Sequence, residues 1–146
     1  MLQQPGLLDP GELDRLDGTS FSAPAHRSVW DAVVTAGRPD GSTAAWTDAV
    51  AAAAPAAVQP LVAELAVAPL PVTPDRATGL PSRRYAASLV SRLREVGLTR
   101  QIADALSQLR RSDSAPEPVP AAQRELGLRL QGLQRELADL RDQQEG

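Results

Sequence analysis

The sequence of 146 residues contains no cysteine and only one Phe, one Tyr and two Trp. Without cysteine the chain can form no disulfide, no thiolate metal site and no cysteine nucleophile. A core with so few aromatic residues must consist mainly of Leu, Val and Ala, which favours helices over sheets. We therefore predict an all-α fold of about one domain in size.

Long apolar runs and a basic, apolar N-terminus are also missing. The longest apolar run, residues 49–58, is about half the length of a membrane span and is interrupted by Pro55. No signal-peptide pattern opens the chain. We expect a cytoplasmic protein without a targeting segment.

Positive charge is unevenly placed along the chain, whose net charge is −3 and whose basic residues are all Arg. Residues 1–82 carry four Arg and nine acidic residues, residues 83–111 seven and two, and residues 112–146 four and seven. The sequence therefore predicts a basic middle segment between two acidic ones.

The first 67 residues contain capping and turn signals for four short helices. The first starts with Asp9 as N-cap and Pro10 at the first helical position, and ends at Gly18. Ser22 is the predicted cap of the second, and Gly37 ends it. A turn at residues 38–41 precedes a third helix that Pro55 interrupts. The fourth covers residues 58–67, with Leu61 and Leu65 as its main inward residues and Val62 as a further one.

Residues 68–82 are rich in proline and cannot form a regular helix. The apolar side chains of Leu70 and Val72, with Val67 directly before them, predict an ordered segment that covers the helical lobe, because a solvated linker would not need them. The prolines at 69, 71 and 74 restrict the unfolded chain, which lowers the entropy lost on ordering.

Two long helices are predicted after this segment. In residues 83–111 apolar residues recur at spacings of three and four, and this helical stripe is interrupted only near Gly97. Either one kinked helix or two helices in tandem would account for the pattern. Its members are Tyr85, Leu89, Leu93, Val96, Ile102, Leu106 and Leu109. In the last helix the leucines at 126, 130, 133, 137 and 140 recur at spacings of four and three. Two such seams joined by the connector at residues 113–120 predict an antiparallel hairpin.

No constellation of residues points to catalysis. The one histidine, His26, lies near Ser22 and Asp31, but Ser22 is better used as a cap and Asp31 is not on the face of His26. One histidine and scattered acids also lack the spacing of a metal site. We predict no catalytic residue, no metal and no cofactor in this chain.

Three classes of binding function remain open from the residues. The Arg-rich helix at residues 83–111 could bind nucleic acid, although its arginines do not form one stripe. The leucine seam could pair between chains in a self-associating protein. Leu128 lies outside the seam, where it is either an ordinary exposed leucine or an anchor for a partner.

The chain resembles the C-terminal helicase-binding domain of bacterial DNA primases of the DnaG type, in its actinobacterial form. The resemblance is carried over nearly the whole chain by "LQQPGLL", "FSAPAHRSVWDAV", "LVAELAVAPLPV" and "RYAASLVSRLREVGLTRQIADALSQLRR", in that order. Its most specific parts are "ELAVAPLP" and "LTRQIADALSQL".

The resemblance implies a helical bundle subdomain at residues 1–81, followed at residues 82–146 by a long helix and a C-terminal hairpin. It implies docking on a DnaB-type replicative helicase, which couples primer synthesis to the replication fork. The family's zinc-binding and polymerase domains are not in this sequence, so we expect a non-catalytic chain. Relatives carry more of a first helix before "LQQPGLL", so we expect that helix to be truncated.

In the family the hairpin is the main helicase contact, which places the expected partner-binding residues on the last helix. They are Arg124, Leu128, Arg129, Gln131, Arg135, Asp139 and Arg141. Alanine at both Leu128 and Arg135 is predicted to weaken helicase binding without changing helicity. A second expected partner is the C-terminal tail of the single-stranded DNA-binding protein, and we expect no membrane and no direct nucleic-acid contact.

Overall fold

The computed structural model describes residues 2–7, 10–38, 42–72, 79, 81–114 and 120–145, which form helices and no strand. The all-α prediction is confirmed. The helices are α1 (Pro10–Leu13), α2 (Pro24–Ala36), α3 (Thr43–Ala53), α4 (Gln59–Val67), α5 (Arg83–Asp113) and α6 (Pro120–Glu145). Short 3-10 turns lie at Pro5–Leu7, Gly18–Ser20 and Ala56–Val58.

The ends of the short helices correct two capping predictions. The first helix ends at Leu13, and Asp17 caps the 3-10 turn at Gly18–Ser20, so Gly18 does not terminate a helix. Ala23, not Ser22, is the N-cap of α2, because Pro24 already supplies the backbone angle of the first position. The predicted ends at Gly37, with φ 80°, and at the Ala run before Pro55 agree with the structure.

A lobe of α2, α3 and α4 forms around a core of valine, alanine and tryptophan side chains. Val50 and Val62 are fully buried, and Trp30 stacks on Phe21 with ring centroids 5.5 Å apart. The predicted inward residues of α4 were therefore ranked wrongly, since Leu61 and Leu65 are half-buried while Val62 is central.

The segment after α4 covers the lobe less than the sequence predicted. Val67 is 82% exposed and Leu70 is 43% exposed, whereas Val72 is half-buried. The N-terminal segment instead ties down this end of α4. The side-chain amide of Gln3 donates to the carbonyl oxygens of Leu65 and Ala68, at 2.9 and 2.6 Å.

The long helix α5 is continuous through Gly97, which agrees with the prediction of one helix and excludes two helices in tandem. Gly97 is buried against Ser20, and a Cβ placed on it would lie 3.3 Å from the Ser20 backbone. Hydrogen bonds from Arg100 to the Thr19 carbonyl oxygen and from Gln101 to Asp17 hold the same contact. The first half of α5 thus packs on the lobe, and Val90 belongs to the lobe core.

From Arg94 to its C-terminal end, α5 pairs with α6 as the predicted antiparallel hairpin. Three contacts fix its register: Arg94 with Glu136, Glu95 with Arg141, and Asp113 with Gln123. The five seam leucines of α6 are half-buried or, at Leu140, buried. On α5 the stripe was partly wrong, because Leu89 and Leu106 are 48% and 40% exposed. The buried residues of this helix are instead Ala86, Val90, Gly97, Leu98 and Ala105.

Four predicted features lie outside the described residues. These are the cap at Asp9, the turn at residues 39–41, the proline at 74 and the centre of the connector at residues 115–119.

Candidate protein-binding surface

The two helices of the hairpin pack through the heptad seam that was predicted from the leucines of α6. On α5 the inward residues are Leu98, Ile102, Ala105 and Leu109, which again alternate spacings of four and three. Alternating spacings on both helices place one side chain of each turn in the interface. Of the remaining positions of α6, Gln123, Glu136 and Arg141 contact α5 at the edges of the seam, and the outer ones face solvent.

All seven residues that the sequence assigned to partner binding are exposed, and Leu128 is 71% exposed. They do not form one surface. Leu128, Arg135 and Asp139 share one face of α6, because they are seven and four residues apart. This face lies on the side opposite the seam leucines and therefore points away from α5. Arg124, Gln131 and Arg141 lie along one edge of the hairpin, and Arg129 lies along the other.

The first of these edges has an ionic cluster at its base. Arg141 donates from Nε to Oε1 of Glu95 at 3.0 Å, and its Nη2 lies 3.0 Å from the same oxygen. Arg92 donates to Oε2 of the same carboxylate. The hydrogen bond from Arg141, followed by that from Arg92, lowers the pKa of Glu95 below its usual 4.5, against the opposing effect of burial. One carboxylate thus links both helices of the hairpin.

The second edge faces the lobe. Arg94 reaches across to Glu136 at 2.6 Å, with its own side chain only 18% exposed. A polar cavity of about 160 Å³ beside this pair is lined by Asp17, Ser20 and Gly97. This edge of the hairpin is therefore already in use near its base, where it holds α6 against the rest of the molecule.

A separate apolar groove lies on the lobe, between the N-terminal segment, α2 and the start of α5. Its volume is about 310 Å³, and its lining includes Phe21, Tyr85 and Leu89, with His26 among its few polar residues. The sequence analysis did not predict this groove, because its walls come from segments more than 60 residues apart. The exposure of Leu89 could not be read from the helical stripe.

The part of the chain that the structure describes was searched for metal-binding groups and for membrane-spanning helices. No group of three or more His, Asp or Glu side chains is placed there to hold a metal ion. None of the described helices is long and apolar enough to cross a membrane.

The comparisons with known proteins identify the family. The model of the family described as "DNA primase DnaG DnaB-binding" matches residues 1–126. The chain belongs to this family. The match ends within α6, so Leu128 and the other predicted residues that follow it lie beyond the matched region.

Relatives and a solved structure agree with the family. The chain is 38% identical over 113 residues to the DNA primases of Mycobacterium bovis and Mycobacterium tuberculosis H37Rv. That region is 75% of this chain but 17% of the relatives, so the chain spans a small part of their length. The solved helicase binding domain of primase from Mycobacterium tuberculosis is 30% identical, with a TM-score of 0.61, covering 97% of this chain and 85% of that one.

Proposed function

We propose that this chain is the helicase-binding domain of a DNA primase. It docks the primase on a DnaB-type replicative helicase and so couples primer synthesis to the replication fork in the cytoplasm. The domain itself is non-catalytic and holds no cofactor. The observation that carries this proposal is the family match over residues 1–126, together with a projecting hairpin whose outward residues are exposed.

The family match and the hairpin support the proposal in different ways. The match gives the class of partner, and the hairpin supplies a rigid surface on which outward side chains are held by a packed seam. Such a surface loses little entropy when it binds, because its backbone is already ordered.

The proposal is tested by calorimetric titration of the chain with the N-terminal domain of the replicative helicase from the same source. We expect saturable binding at low and moderate salt. A chain that stays helical by circular dichroism but gives no heat and no co-elution at low salt would rule the proposal out.

Nucleic-acid binding by the Arg-rich helix at residues 83–111 is the alternative, and the contacts of α5 weigh against it. Arg94 pairs with Glu136, Arg100 donates to the Thr19 carbonyl oxygen and Arg92 donates to Glu95. The remaining arginines sit at the two ends of α5, about 39 Å apart at 1.5 Å per residue. A salt-dependent mobility shift of single-stranded DNA without the helicase would favour the alternative.

We also propose the C-terminal tail of the single-stranded DNA-binding protein as a second partner. The apolar groove on the lobe is the feature that supports it, because it leaves Leu89 and Leu70 accessible beside His26. A fluorescent peptide of that tail should bind the chain, and Leu89→Gln should weaken the binding more than Leu128→Gln. Equal affinity for both variants would exclude the groove.

A further inference from the structure

One edge of the hairpin is open, and its residues form two parallel rows. On α5 the row runs through Arg92, Thr99, Ala103, Leu106 and Arg110, all of them exposed. These residues are three, four or seven apart, so they share one face of the helix. The contact of Arg92 and Arg141 with Glu95 shows that this face lies on the same edge as Arg141.

The row on α6 runs through Arg124, Gly127, Gln131, Gln134, Ala138 and Arg141. In each contacting pair of the two antiparallel helices, the two residue numbers add up to between 230 and 236. The same register sets Arg124 level with Arg110, and Gly127 level with Leu106. A Cβ added to Gly127 would meet nothing within 4 Å, which leaves open space beside Leu106. We call these two rows the open face.

The charged residues of the open face, all of them arginines, lie only at its two ends. At the base, Arg92 and Arg141 share the single carboxylate of Glu95. At the tip, Arg110 donates to the Ser107 hydroxyl and Arg124 to the Pro120 carbonyl oxygen, both of them neutral acceptors. Among the described residues neither has an acidic partner, and the positions between the two ends are small, neutral or apolar.

The shape of the open face fits a helix. The face extends about 27 Å from Arg92 to Arg110 at 1.5 Å per residue, which equals a helix of about 18 residues. Ala103 near its centre and Gly127 one turn from its tip permit a third helix to approach at the usual 8–10 Å between axes. The opposite edge offers no such space near its base, because Arg94 bridges to Glu136 there and Gly97 packs on Ser20.

We propose that the open face binds one helix of the helicase, with acidic residues near both of its ends and an apolar or neutral stripe between them. This inference rests on the proposed function and names the face that the helicase uses. The arginine pairs select the acidic ends. Since the chain carries a net charge of −3, it would repel an acidic helix elsewhere, and the pairs direct that helix to this edge.

The first test removes the charges at the tip. In a titration with the helicase N-terminal domain, Arg110→Gln with Arg124→Gln should raise Kd about tenfold and flatten its dependence on salt. The matched control is Arg111→Gln with Arg129→Gln, which removes the same charge from the same helices off the open face. It should change Kd by less than about twofold. Circular dichroism establishes that both variants keep their helicity.

A second test adds bulk at the centre without changing charge. Ala103→Gln should raise Kd about fivefold because it fills the space that the partner helix needs, whereas Ala121→Gln on the outer side of α6 should not. Both are substitutions of exposed helical alanines by a good helix former, so neither is expected to unfold the hairpin.

Several results would overturn the proposal. Equal loss of affinity in the control pair would mean that only net charge matters. If Leu128→Ala with Arg135→Ala lowered the helicase affinity and the open-face variants did not, the binding site would lie on the outer side of α6. Weaker binding of single-stranded DNA with unchanged helicase affinity would make the occupant nucleic acid, and a wild-type dimer broken by Ala103→Gln would make it a second copy. A wild-type chain that binds no helicase would refute the proposed function itself.

Discussion

Gly97 shows at the scale of one residue how a helix can depart from its sequence pattern for a packing reason. The apolar stripe of α5 fails near this position because the helix touches the Ser20 backbone there and has no room for a side chain. The gap in the pattern was correctly detected, and of its two interpretations the two helices in tandem were wrong, because α5 is one helix. A single sequence does not distinguish a glycine that bends a helix from one that admits a neighbour.

Gly97→Ala is expected to destabilise the fold. Its Cβ would lie 2.8 Å from the Ser20 hydroxyl oxygen and 3.3 Å from the backbone, and such overpacking costs about 1–3 kcal/mol. The gain in helix propensity offsets only about 1 kcal/mol. Chemical denaturation followed by circular dichroism measures the difference.

Gly132→Ala on α6 is the matched control, because nothing lies within 4 Å of its added Cβ. It should raise the free energy of unfolding by up to about 1 kcal/mol. If Gly97→Ala and Gly132→Ala both raised the free energy of unfolding, the close approach of α5 to Ser20 would be contradicted.

Glu95 is the second position where a single residue connects two elements, and the sequence analysis did not identify it. Its carboxylate links Arg92 on its own helix to Arg141 on α6. The α5 pair lies three residues apart and was visible in the sequence. The α6 partner lies 46 residues away and depends on the register of the hairpin.

The pKa of Glu95 makes the stability of the hairpin depend on pH. Because the pKa in the folded chain lies below the usual 4.5, the stabilisation is fully present above about pH 4.5. It is lost as the pH falls through the lower, folded value. Unfolding by urea at pH 7 and at several values below 4.5 should therefore show a smaller decline for Glu95→Gln than for the wild type. Parallel pH profiles would show that the cluster does not form in solution.

The helices themselves illustrate which elements a sequence pattern specifies. The seam of α6 was predicted correctly because five leucines at heptad spacing have one common face whatever they pack against. The stripe of α5 was predicted less well, because this helix packs on the lobe and on α6 along overlapping stretches. Leu89 and Leu106 fit the periodicity, but lie where neither neighbour covers them fully.

Replacing a seam leucine should cost more than replacing an outer one. Leu133→Ala removes a half-buried side chain from the hairpin interface, which we expect to lower the free energy of unfolding by about 2 kcal/mol. Leu128→Ala, at a position 71% exposed, should change it by less than about 0.5 kcal/mol. Urea denaturation of both variants measures the contrast, and comparable losses would place Leu128 inside a packed interface.

The whole molecule is a lobe and a hairpin joined by one helix. Val90 contributes to the lobe core and Ala105 to the hairpin, although both lie on α5. The division at residues 81 and 82 stays a prediction about subdomains. Because α5 is shared between lobe and hairpin, its rigidity sets the direction in which the hairpin projects.

The packing of the leucine seam within one chain leads us to expect a monomer. Since the leucines of α6 already pack on α5, we expect a monomer whose mass in analytical ultracentrifugation does not change with concentration. A mass that rises with concentration and falls again when Leu133 is made polar would support the self-associating alternative instead.

The sequence by itself determined the helical class, the proline break after α4 and the hairpin, because these follow from local propensity and from the spacing of apolar residues. It also carried the resemblance that indicated the family. The tertiary structure decided which α5 residues are buried, why Gly97 is a glycine, how the candidate residues divide among the faces of α6, and where the open face lies. Each of these depends on the contact between segments far apart in the chain, and the spacing of residues along one segment does not contain that information.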